Sequence, residues 1–148
     1  MTGSDSWSAI DDRFPRLYWR LDEEAYTAFG RYGTLHEADE GEVVVKEGMP
    51  SMSFFLVLEG EVVLTVGGQE VARVGEHFSF GEMGMLLDLP RAGTATATKP
   101  SKLIELTRVD MQLMQEKEPV WSTRLYRVLA ECLAEYLHKL ALAQRSGG

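Results

Sequence analysis

Residues 80–98 read Phe-Gly-Glu-Met-Gly-Met-Leu-Leu-Asp-Leu-Pro-Arg-Ala-Gly-Thr-Ala-Thr-Ala-Thr, and the rest of the chain is organised around them. A glycine–acid pair opens the stretch. A short apolar helical turn, a proline, an arginine and small residues follow. Gly81 lets backbone come close to a ligand with no Cβ in the way, and a short helix starting there aims free N–H groups at negative charge. Arg91 adds a permanent cation whose forked donors suit a phosphate. Glu82 cannot serve that phosphate. A carboxylate beside an anion site is best used as an acceptor for sugar hydroxyls.

Around this stretch the chain has a period of two and glycine punctuation. Strands are expected at Thr34 to Glu37, Glu42 to Lys46, Ser53 to Glu59, Glu61 to Val66, Gln69 to Val74, Ala92 to Thr98 and Lys102 to Thr107. Turns are expected at Gly41, Gly48, Gly60, Gly67-Gly68 and Gly75. Gly67-Gly68 between Val-rich segments is a two-residue hairpin signal, because both central residues of a primed turn need positive φ. Short strands so closely spaced predict an antiparallel sandwich or barrel and not a parallel sheet. The turn of helix from Glu82 to Leu87 interrupts that series, and a ligand is the local reason that best accounts for it.

Helical periodicity flanks the strands on both sides. From Ile10 to Arg31, apolar residues such as Phe14, Leu17, Leu21 and Phe29 recur at steps of three and four, with Pro15 and the acids after Leu21 dividing the span into two short helices. Residues 1–9 are small and polar and predict a flexible amino terminus. Beyond the last strand, Thr107 and Asp110 make a capping box, and Pro119 begins a final helix where a missing N–H costs little. The apolar arc of that helix, from Trp121 to Leu140, is wider than one contact with a small barrel requires. Part of it is expected to face a second chain. The chain thus reads as one mostly-β domain over residues 10–148: helices at 10–31, a barrel at 34–107 and carboxy-terminal helices at 108–143.

Composition narrows the possible functions. The 148 residues are 45% hydrophobic and 26% charged, as in an ordinary globular domain with a real core. A formal charge of −8 argues against nonspecific nucleic-acid or anionic-membrane binding, which needs clustered Lys and Arg. The one cysteine, Cys132, excludes an internal disulfide and fits a reducing compartment. The amino terminus lacks a basic and apolar leader, and no apolar run reaches membrane-spanning length, so a cytoplasmic location is expected. His36, His77 and His138 are scattered and form no His-x-His metal set, so neither metal nor catalytic residues are expected.

Helices, a glycine-punctuated jelly roll, Phe80-Gly81-Glu82, a short helix, Pro90-Arg91-Ala92 and closing helices together resemble the cyclic nucleotide-binding domain. That module is shared by catabolite-activator-type regulators, regulatory subunits of cAMP-dependent kinase and cyclic nucleotide-gated channels. Gly41-Glu42, Glu47-Gly48 and the strand end Phe55 to Gly60 belong to the same likeness. It implies a phosphate pocket lined by Gly81, the amides at the start of the short helix (Glu82, Met83) and those of Ala92 and Gly93. Arg91 would hold the exocyclic phosphate oxygens and Glu82 the ribose 2′-hydroxyl. Ala92 stands where cGMP-preferring members often carry threonine, which leans the ligand toward cAMP, with cGMP the other candidate and no further cofactor. A residue of the last helix is implied to close over the base: Tyr136, with Cys132, Leu133 and Leu140 as competitors. His77 departs from the family pattern at a place where glycine is common.

Several residues also have plainer readings. Arg91 and Glu82 could be an ion pair with no ligand, Tyr136 a core or interface aromatic, and Met83, Met85, Met111 and Met114 ordinary core filling. The favoured function is a cyclic-nucleotide receptor in which the last helix moves over the pocket. The rival is a domain of the same fold that only dimerises or docks on a partner protein. The chain ends at Arg145-Ser-Gly-Gly, shortly after the long helix, so no DNA-binding domain is expected; the acidic balance and the lack of a long apolar run likewise predict no direct nucleic-acid contact and no membrane insertion.

Overall fold

The computed structural model describes residue 27 and residues 30–147, without the side chains of Cys132, Tyr136 and residues 146–147. The amino-terminal segment and helices expected before residue 30 therefore lie outside the described residues. Residues 30–32 are helical. Among the described residues eight strands follow: β1 (Thr34–Ala38), β2 (Val43–Val45), β3 (Ser53–Glu59), β4 (Glu61–Val66), β5 (Gln69–Gly75), β6 (Ser79–Phe80), β7 (Thr94–Ala97) and β8 (Ser101–Thr107). Helix α1 (Glu82–Leu87) sits between β6 and β7, and α2 (Arg108–Lys117) and α3 (Pro119–Gly147) end the chain.

All ladders are antiparallel and fall into two four-stranded sheets, ordered β1-β8-β3-β6 and β2-β7-β4-β5. This is a jelly roll of two facing sheets, with no ladder joining them into a continuous barrel among the described residues. One core lies between the sheets, where Phe55, Val57, Phe80 and Leu103 meet Val62, Val74 and Ala95. A second lies behind the first sheet, where Phe54, Leu56, Ile104 and Leu106 meet Met85 of α1, Met111 and Met114 of α2, and Leu125 and Leu129 of α3. The sequence of β3 follows from this position. Both its faces are covered, so Phe-Phe-Leu-Val runs apolar without alternation, whereas β5 alternates exposed and buried residues.

The expected hairpin is present between β4 and β5, with Gly67 at φ 58° and Gly68 at φ 83°. Strand β5 runs on through Gly75, so the next turn falls at Glu76–His77. His77 takes φ 73° there, supplying the left-handed backbone that glycine otherwise provides. The seventh strand is shorter than its alternating sequence suggests. It starts at Thr94, and Ala92 and Gly93 form a bend in front of it. The capping box at Thr107 is complete, with the Asp110 amide donating to Thr107 Oγ1 and the Thr107 amide to Asp110 Oδ2, both at 2.9 Å. Helix α3 starts at Pro119 as expected but continues to Gly147, because no breaker stands before the terminal glycines.

Candidate functional site

The site forms where β6 gives way to α1. Gly81 turns the chain at φ 90°, and a Cβ at this position would lie 2.6 Å from Arg91 Nη1, so only glycine lets the arginine cross here. The six residues of α1 are bracketed by a second left-handed residue, Asp88 at φ 56°. Pro90 then leads into Arg91, whose backbone is fixed by two hydrogen bonds to the Gly48 loop: its amide donates to Met49 O at 2.8 Å, and its carbonyl accepts from the Gly48 amide at 2.9 Å. The turn at Gly48, 40-odd residues upstream, thus holds the backbone that carries the cation.

A cleft of about 290 Å³ opens between α1, the Arg91 bend and the second sheet. Gly81, Glu82, Met83, Arg91, Ala92 and Gly93 all line it, so six of the seven expected site residues come together. Tyr136 is the seventh; it belongs to α3, and its side chain lies outside the described residues. Among the described side chains, the α3 residue that lines the cleft is Leu133. Val45, Leu64, Val66 and Val71 make an apolar wall opposite the polar end, with Ser51 under α1. The sequence does not single out these four residues, because alternating strand residues facing a cleft look the same as residues facing a core.

The two charged groups are in different states. Glu82 is buried, at 6% exposure, and its Oε1 has no hydrogen-bond partner among the described residues. Burial pushes its carboxyl above the usual carboxylate range, opposed first by the neighbouring Ser79 hydroxyl, then by the backbone amide of Glu82 itself and last by Arg91. Arg91 is half-buried. Burial lowers its guanidinium, opposed first by Glu105 and then by Glu82. No ion pair within 4.0 Å joins Arg91 to Glu82 among the described residues, so the plainer reading of the two as an ion pair does not hold. Arg91 instead donates from Nη1 to Gly81 O at 3.4 Å and from Nη2 to Ser53 Oγ at 3.2 Å, with its guanidinium carbon 5.8 Å from the centre of the Phe55 ring. The four methionines do not all fill the core. Met85, Met111 and Met114 are buried core residues, but Met83 is 56% exposed at the rim of the cleft. It follows Glu82 on a helix whose inner side Glu82 and Met85 already fill.

The cleft therefore offers a cation at one end, a buried acceptor without a partner beside it, and an apolar wall. Such a site suits a small molecule with an anionic group, a hydroxyl and a flat apolar part. Among the described residues no cluster of His, Cys, Asp or Glu could hold a metal ion, and no helix is long and apolar enough to cross a membrane.

Comparison with known proteins agrees with this geometry. The family model for the cyclic nucleotide-binding domain matches residues 35–118. A cAMP-dependent protein kinase regulatory subunit from Yarrowia lipolytica is 34% identical over 93 residues, which is 63% of this chain and 25% of that protein. The chain thus spans about a quarter of the length of the curated relatives it matches. Among solved structures, the N-terminal domain of a transcriptional regulator from Streptomyces coelicolor A3(2) is similar at 30% identity and TM-score 0.69, over 84% of this chain and 94% of that one. The Thermus thermophilus catabolite activator protein is similar at 28% identity and TM-score 0.68, over 87% and 63%.

Proposed function

The chain belongs to the cyclic nucleotide-binding domain family, and from that premise we propose that it is a cyclic-nucleotide receptor, favouring cAMP, in which the ligand draws α3 over the cleft. The observation that carries this reading is the buried, unpartnered Oε1 of Glu82 lining the same cleft as Arg91. A buried carboxylate oxygen with no donor is costly, and a ribose 2′-hydroxyl is the donor that relieves it. Arg91 takes the cyclic phosphate, assisted by the backbone of Gly81, Met83, Ala92 and Gly93. The base lies along Val45, Leu64, Val66 and Val71. Ala92 brings a methyl group and no hydroxyl to the base, which favours cAMP over cGMP. Leu133 is the α3 residue already at the cleft, and Tyr136, one turn further along, is the second candidate to close over the base. Closure follows only if nucleotide contacts differ between the open and closed positions of α3.

Arg91→Ala tests the site. Removing one partner of a sheltered charge pair costs about 3–5 kcal/mol, more than a hundredfold in affinity. Titration calorimetry with cAMP is expected to show tight binding to the wild type and none to the variant, at unchanged circular dichroism. Equal affinity in both would overturn the assignment. The second reading, a module of this fold that associates without responding to nucleotide, is favoured by one observation: Leu137, Leu140 and Leu142 are exposed along the outer part of α3. Trp121 sits beneath Arg124 and packs on the core behind the first sheet, so its fluorescence reports on α3. No change at millimolar cAMP or cGMP would select that reading.

A further inference from the structure

Glu105 is a carboxylate on the inner face of a sheet. In the register of the first sheet it stands opposite Phe55, and Phe55 stands opposite Phe80, so the three side chains share the face that carries the inter-sheet core. The two phenylalanine rings stack at 5.1 Å. A charge in such a row needs partners on both oxygens. Glu105 has them: Oε1 meets Nε2 of the half-exposed His36 at 2.7 Å, and Oε2 accepts from the hydroxyl of Ser53 at 2.6 Å.

The hydroxyl of Ser53 sets the direction of the chain. Ser53 is 3% exposed and has one proton to give. That proton is committed to Glu105, so the hydroxyl presents only lone pairs to its other neighbour, Nη2 of Arg91 at 3.2 Å. The donors then run in order from Arg91 to Ser53 to Glu105. With Phe55 under the guanidinium and Gly81 O accepting from Nη1, one edge of the Arg91 fork is held inside the jelly roll. Glu105 also counts for more than Glu82 in the charge environment of Arg91.

On the reading that Arg91 takes the phosphate, we infer that Glu105, acting through Ser53, is a positioning residue for Arg91: it fixes the inner edge of the guanidinium so that the remaining donors face the anion. His36 holds the far side of the carboxylate at the edge of the sheet. Without Glu105 the Ser53 hydroxyl rotates freely and no longer orients Nη2, so the phosphate must order the arginine as it binds.

The test uses the full chain, cAMP titrations by calorimetry, and the Nε–H resonance of Arg91 by nitrogen-resolved NMR without nucleotide. Ser53→Ala and Glu105→Ala are each expected to weaken cAMP binding about tenfold and to broaden the Arg91 signal. The double variant is expected to bind no more weakly than the worse single one, because both changes cut the same chain. Glu105→Gln keeps an oxygen that accepts from Ser53 and should recover most of the affinity lost in Glu105→Ala, with a sharp Arg91 signal. If Ser53→Ala does not fold, the Glu105→Ala and Glu105→Gln pair decides alone. Wild-type cAMP affinity in Glu105→Ala, or additive losses in the double variant, would overturn the positioning role. If the wild type binds neither cAMP nor cGMP, the receptor reading fails, and the Arg91 resonance still decides whether Glu105 holds the guanidinium.

Discussion

Glu82 works against the stability of the fold it belongs to. Its carboxyl is raised by burial, so its folded pKa lies above the unfolded value of about 4.3. A group raised in this way helps the fold at pH below its unfolded pKa, and that help is lost as pH rises through the folded pKa. At neutral pH the buried carboxylate is therefore a liability in the free protein and, on the proposed receptor reading, an asset in the complex, where a ribose hydroxyl would donate to it. Glu82→Gln should raise the melting temperature at pH 7 by about 2–4 °C, equivalent to roughly 1 kcal/mol, while weakening cAMP binding about tenfold. The variant should also lose a pH dependence that the wild type shows. On that reading the ligand hydroxyl favours the ionised carboxylate, so wild-type affinity is expected to fall as pH drops toward the acid range, and calorimetry across that range reads the slope directly. Lower stability in the variant with undiminished affinity would remove Glu82 from the site. Gly81 limits the same site sterically. Gly81→Ala adds a methyl 2.6 Å from Arg91 Nη1 at φ 90°, so it should displace the arginine and weaken binding while leaving the two cores intact.

Helix α1 is too short to hold itself together and is fixed at its ends by other elements. Its carboxy-terminal end is tied by Arg108, the first residue of α2, which donates to Met85 O from Nη2 at 2.6 Å and from Nε at 3.2 Å, and from Nη2 to Ser51 O at 3.3 Å. The same guanidinium lies 3.4 Å from Asp88, the left-handed residue that ends α1. A cation on orphan carbonyls at a helix terminus is favourable, and here it also joins α1 to the helices behind the sheet. Arg108→Ala should cost about 1–2 kcal/mol, read by chemical denaturation, and speed amide exchange in α1 more than in β3. Uniform exchange changes would mean that α1 and α2 are not linked this way. Elements of this kind were legible where local chemistry decides them. Gly81 and Pro90 frame α1, Thr107 and Asp110 cap α2, and Gly67-Gly68 closes a hairpin. Strand β6 was not, because the two residues Ser79–Phe80 cannot carry a period, and their pairing with Leu56 and Phe55 comes from register alone. The Arg91–Ser53–Glu105 chain was illegible for the same reason, since its members are 38 and 52 positions apart and meet only once β3 and β8 are side by side.

At the scale of the whole molecule, α3 is one helix with two environments. Its first turns bury Leu125, Val128 and Leu129 behind the first sheet, and Leu133 reaches the cleft. Beyond that point residues 134–147 run on for roughly 20 Å with Leu137, Leu140 and Leu142 exposed. Leu133, Leu137 and Leu140 are spaced by four and three, the spacing of a seam between two helices. Leu133 is thus placed to serve either the ligand cleft or a partner helix, and an element with two competing uses for one side chain can couple nucleotide binding to association. The expected assembly is a symmetric dimer through the outer half of α3. Leu137→Glu with Leu140→Glu should make the protein monomeric by light scattering and leave its melting temperature within a few degrees of a dilute wild-type sample. If Leu133 is shared, the monomeric variant should also bind cAMP with altered affinity, and nucleotide should shift the dimerisation constant of the wild type by the same factor. Dimerisation indifferent to cAMP would separate the two roles of α3, and a wild type that stays monomeric at high concentration would leave the outer half of the helix for a different protein.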